Sequence, residues 1–211
     1  MKLYGYWRSG AAYRVRIALN LKGIPFEHFG VNLLKDGGEQ NSPAYRAVNP
    51  QGRVPSLVLD DGTVLIQSPA ILEWLEESYP EPPLLPQGPV LRAKIRGVAA
   101  LIGCDIHPLN NLGPLNYLRD TFSADSAAVR AWAAHWITRG FDAVEQLIEG
   151  GDFCFGTAPS LADVYLVPQV ASARRFNVAL DAFPKIGRVA QSCASLEAFR
   201  RAAPENQPDA E

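Results

Sequence analysis

Apolar and polar positions alternate over Lys2-Leu3-Tyr4-Gly5-Tyr6, which predicts a strand, and the apolar run Ile17-Ala18-Leu19-Asn20-Leu21 predicts a helix. The chain turns between them at Ser9-Gly10. Lys22-Gly23-Ile24-Pro25 closes the helix, because Gly23 suits its C-terminal cap and Pro25 cannot continue it. Phe26 to Val31 alternates again and reads as a second strand, so strand, helix and strand form a βαβ unit with parallel strands. A loop at Lys35-Asp36-Gly37-Gly38 precedes a short helix from Ser42 to Ala47 and a turn at Asn49-Pro50-Gln51-Gly52. Ser56 to Leu59 and Thr63 to Ile66 flank Asp60-Asp61-Gly62 and read as a hairpin. Ser68 is the expected N-cap of the next helix, with Pro69 in its first turn and Ile71, Leu72 and Leu75 on its apolar face.

Beyond the proline-rich stretch 80–86 the alternating pattern disappears and helical spacing takes over. Leu91 to Asp120 reads as helix interrupted near Pro108 and Gly113-Pro114. Ser126 to Ile148 reads as helix with Ala133, Ile137, Val144 and Leu147 among others on its apolar face. Ser160-Leu161-Ala162-Asp163 is a capping box with Asp in place of Glu, ahead of a helix from Val164 to Arg174. Shorter helices follow from Phe183-Pro184 to Ala194 and from Leu196 to Arg201, and the polar tail 204–211 is expected to fray. The resulting fold class is a mixed α/β domain over 1–80, a linker over 81–89 and an all-α domain over 90–211.

Composition narrows the functions. A net charge of -2 offers no nucleic-acid or anionic-membrane surface, and no run is long and apolar enough to span a bilayer. The three cysteines, Cys104, Cys154 and Cys193, show neither metal-ligand spacing nor a disulfide framework and read as small core hydrophobes. No metal is expected. The start lacks a signal-peptide pattern, and the expectation is a soluble, cytoplasmic protein.

The first strand-to-helix turn carries candidate chemistry. A helix N-terminus presents unpaired N–H groups and partial positive charge. With Ser9 as N-cap and Arg8, Arg14 and Arg16 nearby, it could hold a thiolate or carboxylate. Equally, Ser9 could only cap the helix and the arginines only be solvated.

This arrangement resembles the glutathione transferases, which join a thioredoxin-like domain to a helical one. Val54-Pro55 before a strand resembles their cis-proline position, Gln67-Ser68 their Glu/Gln-Ser pair, and Ser160 to Asp163 their buried capping box. The zeta class in particular is resembled by Arg8-Ser9 with Arg14-Val15-Arg16-Ile17-Ala18-Leu19, by Leu34 to Gly38, by Asn49-Pro50, and by Leu166 to Val170 with Arg175-Phe176. One departure stands out. The class signature Ser-Ser-Cys-Ser here reads Ser9-Gly10-Ala11-Ala12, which excludes any mechanism that needs a protein thiol at this turn.

The resemblance implies glutathione as cofactor, a homodimer as assembly, and glutathione-dependent cis–trans isomerisation of maleylacetoacetate or maleylpyruvate, small acidic enediones. A free thiol has a pKa of about 8.5, and lowering it by one or two units takes about 1.4–3 kcal/mol. A helix N-terminus supplies up to ~2 kcal/mol of this, and the Ser9 hydroxyl is placed to supply more. Val54, beside a cis Pro55, is implied to pair its backbone with the cysteinyl part, and Gln67 and Ser68 to bind the γ-glutamyl carboxylate. Gln40 and Gln51 are either contacts for the glycyl end or plain surface glutamines. Arg8 and Arg175 match the substrate-side cations, although Arg174 could replace Arg175. His107, near the break in the second domain's first long helix, binds ligand, shuttles a proton or is structural, and Asn111 is a glutathione contact. His28 and His135 have no partner legible in the sequence. Two other functions stay open: conjugation of glutathione to electrophiles or α-halo acids, and non-catalytic glutathione binding.

Overall fold

The computed structural model describes residues 1–149 and 151–211. It divides into two compact units, one formed by Met1–Pro83 with Ser195–Glu211 and the other by Leu84–Ala194.

In the first unit, strands β1 (Lys2–Gly5), β2 (Glu27–Gly30), β3 (Ser56–Val58) and β4 (Val64–Ile66) form one sheet in the order β2-β1-β3-β4. β1 runs parallel to β2, as the βαβ spacing predicts, and antiparallel to β3, which pairs with β4 as the expected hairpin. Helix α1 (Gly10–Leu21) connects β1 to β2, the short α2 (Pro43–Val48) precedes β3, and α3 (Ser68–Ser78) follows β4. The core includes Leu3, Val15, Ile17, Leu19, Leu57, Ile71 and Leu75. At the far ends of α1 and α3, buried Lys22 extends Nζ to Glu76 at 2.8 Å and to the carbonyls of Tyr79 and Pro82 at 2.6 and 3.1 Å. One buried ammonium thus satisfies the carbonyl at the end of α3 and one in the loop that follows it.

The C-terminal segment corrects two expectations. Residues 195–211, assigned from sequence to the helical domain, belong to the first unit, and the tail 204–211 is ordered rather than frayed. The reason is a set of long-range hydrogen bonds. Arg16 Nε donates to the carbonyl of Ala202 at 2.9 Å, Asn20 Nδ2 to that of Ala198 at 3.1 Å, and Asn32 Nδ2 to Glu211 Oε1 at 2.8 Å. Gln207, itself buried, closes the turn by donating to the carbonyls of Ala203 and Arg201.

The second unit contains α4 (Pro89–Ala100), a π-helical segment (Leu101–Ile106), a 3-10 turn (His107–Asn110), and helices α5 (Leu112–Phe122), α6 (Ser126–Leu147), α7 (Leu161–Arg175) and α8 (Pro184–Ser195), the last ending at the boundary with the first unit. The final helix, α9 (Glu197–Ala202), lies in the first unit. The break near Pro108 is where the sequence placed it. The second interruption falls just before Gly113-Pro114, at the extended Asn111, and Pro114 itself sits in the first turn of α5, where its missing N–H has no intrahelical acceptor to lose. Leu147 also departs from expectation: it is exposed, whereas Ala133, Ile137 and Val144 are buried. Cys154 and Cys193 are buried as expected of core hydrophobes, but Cys104 is exposed.

Gly140 on α6 faces the π-helical segment so closely that a Cβ there would overlap Cγ1 and Cδ1 of buried Ile106. Gly140→Ala is therefore expected to destabilise the protein by roughly 1–3 kcal/mol in chemical denaturation. Adding Ile106→Val, which removes Cδ1, should recover part of that loss; purely additive losses would show that the two positions do not compete for space.

Candidate functional site

The turn after β1 is built as the sequence suggests. Ser9 is the N-cap of α1 (φ -69°, ψ 116°), and its Oγ accepts the Ala12 N–H at 3.2 Å. With Oγ accepting from the backbone, the hydroxyl proton is left to donate elsewhere. Its own N–H donates to the carbonyl of Tyr6 at 2.9 Å, closing the turn. Arg8 is exposed and lies over two rings, its Cζ 4.9 Å from the Trp7 centroid and 5.8 Å from that of Tyr6. Its NH2 also donates to the Tyr6 hydroxyl at 3.3 Å, so the stack and this bond hold the guanidinium while its remaining N–H groups can face an anion.

Arg14 and Arg16 are not solvated. Both are buried, and Arg16 has no solvent exposure at all. Burial pulls Arg16 down to about 10, with the nearby Tyr13 and Asp209 opposing the shift, so it is still charged at neutral pH. It spends that charge on main-chain carbonyls, those of Trp7 at 3.0 Å, Tyr6 at 3.4 Å and Ala202 at 2.9 Å.

The second cluster surrounds the start of α3. Val54-Pro55 is cis, as the resemblance implies. The loop before it is fixed by the Tyr45 hydroxyl and Asn49 Nδ2, which both donate to the Arg53 carbonyl at 2.7 Å. Among the described residues the Val54 N–H and C=O have no hydrogen-bond partner, although the residue is partly buried. A buried or half-buried peptide group without partners is one that a bound peptide could satisfy.

Ser68 is not the N-cap of α3. Gln67 takes that place at φ 69°, a conformation side chains rarely adopt, and Ser68 begins the helix. Ser68 is buried, and Arg14 NH1 lies 3.5 Å from its Oγ. A helix N-terminus with a hydroxyl and a buried guanidinium beside it is suited to a carboxylate. Gln67 Nε2 donates to Gln51 Oε1 at 2.6 Å, which brings two of the expected glutamines together. The Gln40 main chain passes near Gly52, where a Cβ would come to 3.1 Å from its carbonyl, but the Gln40 side chain folds back against Gly38 and is not brought to Gln51 and Gln67. Sequence reasoning named Arg14 only as a nearby cation and gave it no role; its signal was its place on a helix whose residues 12–19 are all buried.

Three expected residues lie in the second unit. His107 is half-buried at the start of the 3-10 turn after the π-helical segment. That turn is held by Asn110 Nδ2 donating to the Ile106 carbonyl and Trp132 Nε1 to the Leu109 carbonyl, each at 2.8 Å. Asn111 is the N-cap of α5, with Oδ1 accepting the Leu112 N–H at 2.8 Å, so its amide NH₂ is the part left for a ligand. Arg175 is the last residue of α7, exposed, with Cζ 5.0 Å from the Phe176 ring, and Phe176 in turn packs against the buried cluster of Leu115, Val129 and Ala133. Arg174 is exposed as well, and nothing in its packing favours it over Arg175.

Two family models match: the glutathione S-transferase N-terminal domain over residues 3–83 and the C-terminal domain over residues 126–201. A maleylacetoacetate isomerase from Pseudomonas aeruginosa is 59% identical over 209 residues, covering 99% of this chain and 98% of that protein. The solved holo structure of a maleylpyruvate isomerase, described as a bacterial zeta-class glutathione transferase, superposes with a TM-score of 0.96 at 54% identity and full coverage of both chains. A maleylacetoacetate isomerase from Methylobacterium extorquens AM1, solved with bound malonate and glutathione, gives 0.95 at 39% identity, also with full coverage of both.

Proposed function

Because this chain belongs to the zeta class of glutathione transferases, we propose that it is a glutathione-dependent isomerase converting maleylacetoacetate or maleylpyruvate to the fumaryl isomer. The observation that carries the reading is the Ser9 turn, an N-cap hydroxyl with a proton to give at the N-terminus of α1, beside a ring-stacked Arg8. Glutathione, when bound, supplies a thiolate that adds to the conjugated double bond, lets the new single bond rotate and leaves again. The Ser9 hydroxyl donates to the sulfur and favours its ionised form, aided by the partial positive charge of the helix end. Val54 offers its N–H and C=O to the tripeptide backbone, and Ser68, with Arg14 beside it, takes the γ-glutamyl carboxylate. Gln67, Gln51, Gln40, His107 and Asn111 complete the polar contacts. Arg8 and Arg175 would hold the substrate carboxylate, and their charge would also favour negative charge developing on the substrate.

Arg175→Ala is expected to raise KM for a dicarboxylate enedione at least several-fold more than KM for a neutral electrophile such as a halodinitrobenzene. Equal changes on both would remove Arg175 from carboxylate recognition and turn attention to Arg174.

The test of the function is a continuous assay with maleylpyruvate and maleylacetoacetate, with and without glutathione. Turnover that vanishes without glutathione supports the isomerase. Glutathione binding without turnover would move the reading to conjugation of halo acids or to a binding protein. The same reading makes the enzyme a cytoplasmic homodimer. Among the described residues no helix is long and apolar enough to cross a membrane, which is compatible with that placement, and light scattering checks the assembly.

A further inference from the structure

The C-terminal tail reaches the catalytic turn. Asp209 accepts the Trp7 N–H on Oδ2 at 3.0 Å, while its Oδ1 lies 2.9 Å from His28 Nε2. Residue 30 is glycine where the tail comes close, and a Cβ there would lie 3.0 Å from the Asp209 Cβ. On the other side of the same residue, Arg16 NH2 donates to the Trp7 carbonyl at 3.0 Å. Both polar main-chain groups of Trp7 are therefore held from outside the turn, one by an anion 202 positions away and one by a buried cation. Only Arg8 separates Trp7 from Ser9, and the Ser9 N–H is itself tied to the Tyr6 carbonyl. A rotation of the Trp7 peptide would carry the Ser9 hydroxyl with it.

We propose that Asp209 is a positioning residue for Ser9, fixing the Trp7 peptide so that the hydroxyl meets the glutathione sulfur in the geometry that favours the thiolate. The inference rests on the reading of Ser9 given above. A hydroxyl displaced by a fraction of an ångström loses most of a directional hydrogen bond, so the effect should appear in thiol ionisation rather than in tripeptide affinity.

The test uses the full chain with Asp209→Ala and Asp209→Asn, alone and combined with Ser9→Ala. Thiolate absorbance of bound glutathione is followed against pH, together with kcat, KM for glutathione and the melting temperature. Asp209→Ala should raise the apparent pKa of the bound thiol by about one unit and lower kcat at neutral pH by about tenfold. KM for glutathione should change by less than about twofold. Asp209→Asn, which keeps an acceptor for the Trp7 N–H, should recover part of the loss. In the Ser9→Ala background Asp209→Ala should add nothing to the fall in kcat. A thiol pKa that does not move in Asp209→Ala, or a full additional loss in the Ser9→Ala background, would overturn the proposal and leave Asp209 a structural residue. An unchanged rate in Ser9→Ala alone removes Ser9 and this inference together, whereas a Ser9 effect without an Asp209 effect removes only this inference. Should Asp209→Ala fail to fold, Gly30→Ala, whose Cβ crowds the Asp209 Cβ and shifts its carboxylate while leaving it intact, is read in the same way.

Discussion

Ser9→Ala is expected to lower glutathione-dependent isomerisation by tenfold or more while the protein keeps its fold. A tenfold fall corresponds to about 1.4 kcal/mol, the size of one hydrogen bond to a charged group. Two losses are combined in this variant and are separable. The helix loses a cap on the Ala12 N–H, which costs about 1 kcal/mol of stability and appears in the melting temperature. The thiolate loses the one hydroxyl that residues 9–12 provide, because Gly10, Ala11 and Ala12 offer no polar side chain. The second loss appears as a shift of the acidic limb of the pH–rate profile to higher pH, since more base is then needed to ionise the same thiol. Ser9→Thr, with a hydroxyl and the same capping ability, should recover more activity than Ser9→Gly, which restores capping alone. Unchanged kinetics in Ser9→Ala would remove the residue from the mechanism.

Asp163→Ala should have the largest effect on stability, on the order of 3–5 kcal/mol, or roughly a 10 °C fall in melting temperature. Asp163 has no solvent exposure and accepts three hydrogen bonds: from the Cys154 N–H at 2.8 Å, and from the Ser160 N–H and hydroxyl at 2.7 Å each. Burial pushes its carboxyl up from the ordinary range, and the donated hydrogen bonds pull it part of the way back. Alanine would leave those donors buried without partners at the start of α7. Asp163→Asn should rescue little, because its NH₂ would face an N–H donor where an oxygen now accepts. Both variants are read by thermal and chemical denaturation, and a loss below about 1 kcal/mol would mean the capping box contributes no more than an exposed cap.

Most element boundaries follow from local chemistry. The strand-helix-strand order, the Asp-Gly hairpin, the Ser9 cap and the Ser160-to-Asp163 box were legible because each depends on residues within four positions of one another. Ser68 was misplaced by one residue for a reason the sequence does not carry. Gln67 adopts a positive φ that glycine would ordinarily supply, so the helix begins one position earlier than its serine suggests. Leu147 was misread because periodicity marks which residues could face a core, and only packing decides whether a core reaches that far.

The site shows the same division. The sequence by itself determined the Ser9 turn, the Val54-Pro55 and Gln67-Ser68 motifs, the absence of a thiol at Ala11 and the family. The tertiary structure alone decided that Arg14 lies beside Ser68, that Arg16 holds the Tyr6 and Trp7 carbonyls, and that His28 has Asp209 as its partner. Caps and turns are hydrogen bonds between near neighbours and leave a pattern in the residue order. A carboxylate that meets a backbone N–H 202 positions away leaves none, because its partner is chosen by the path of the folded chain.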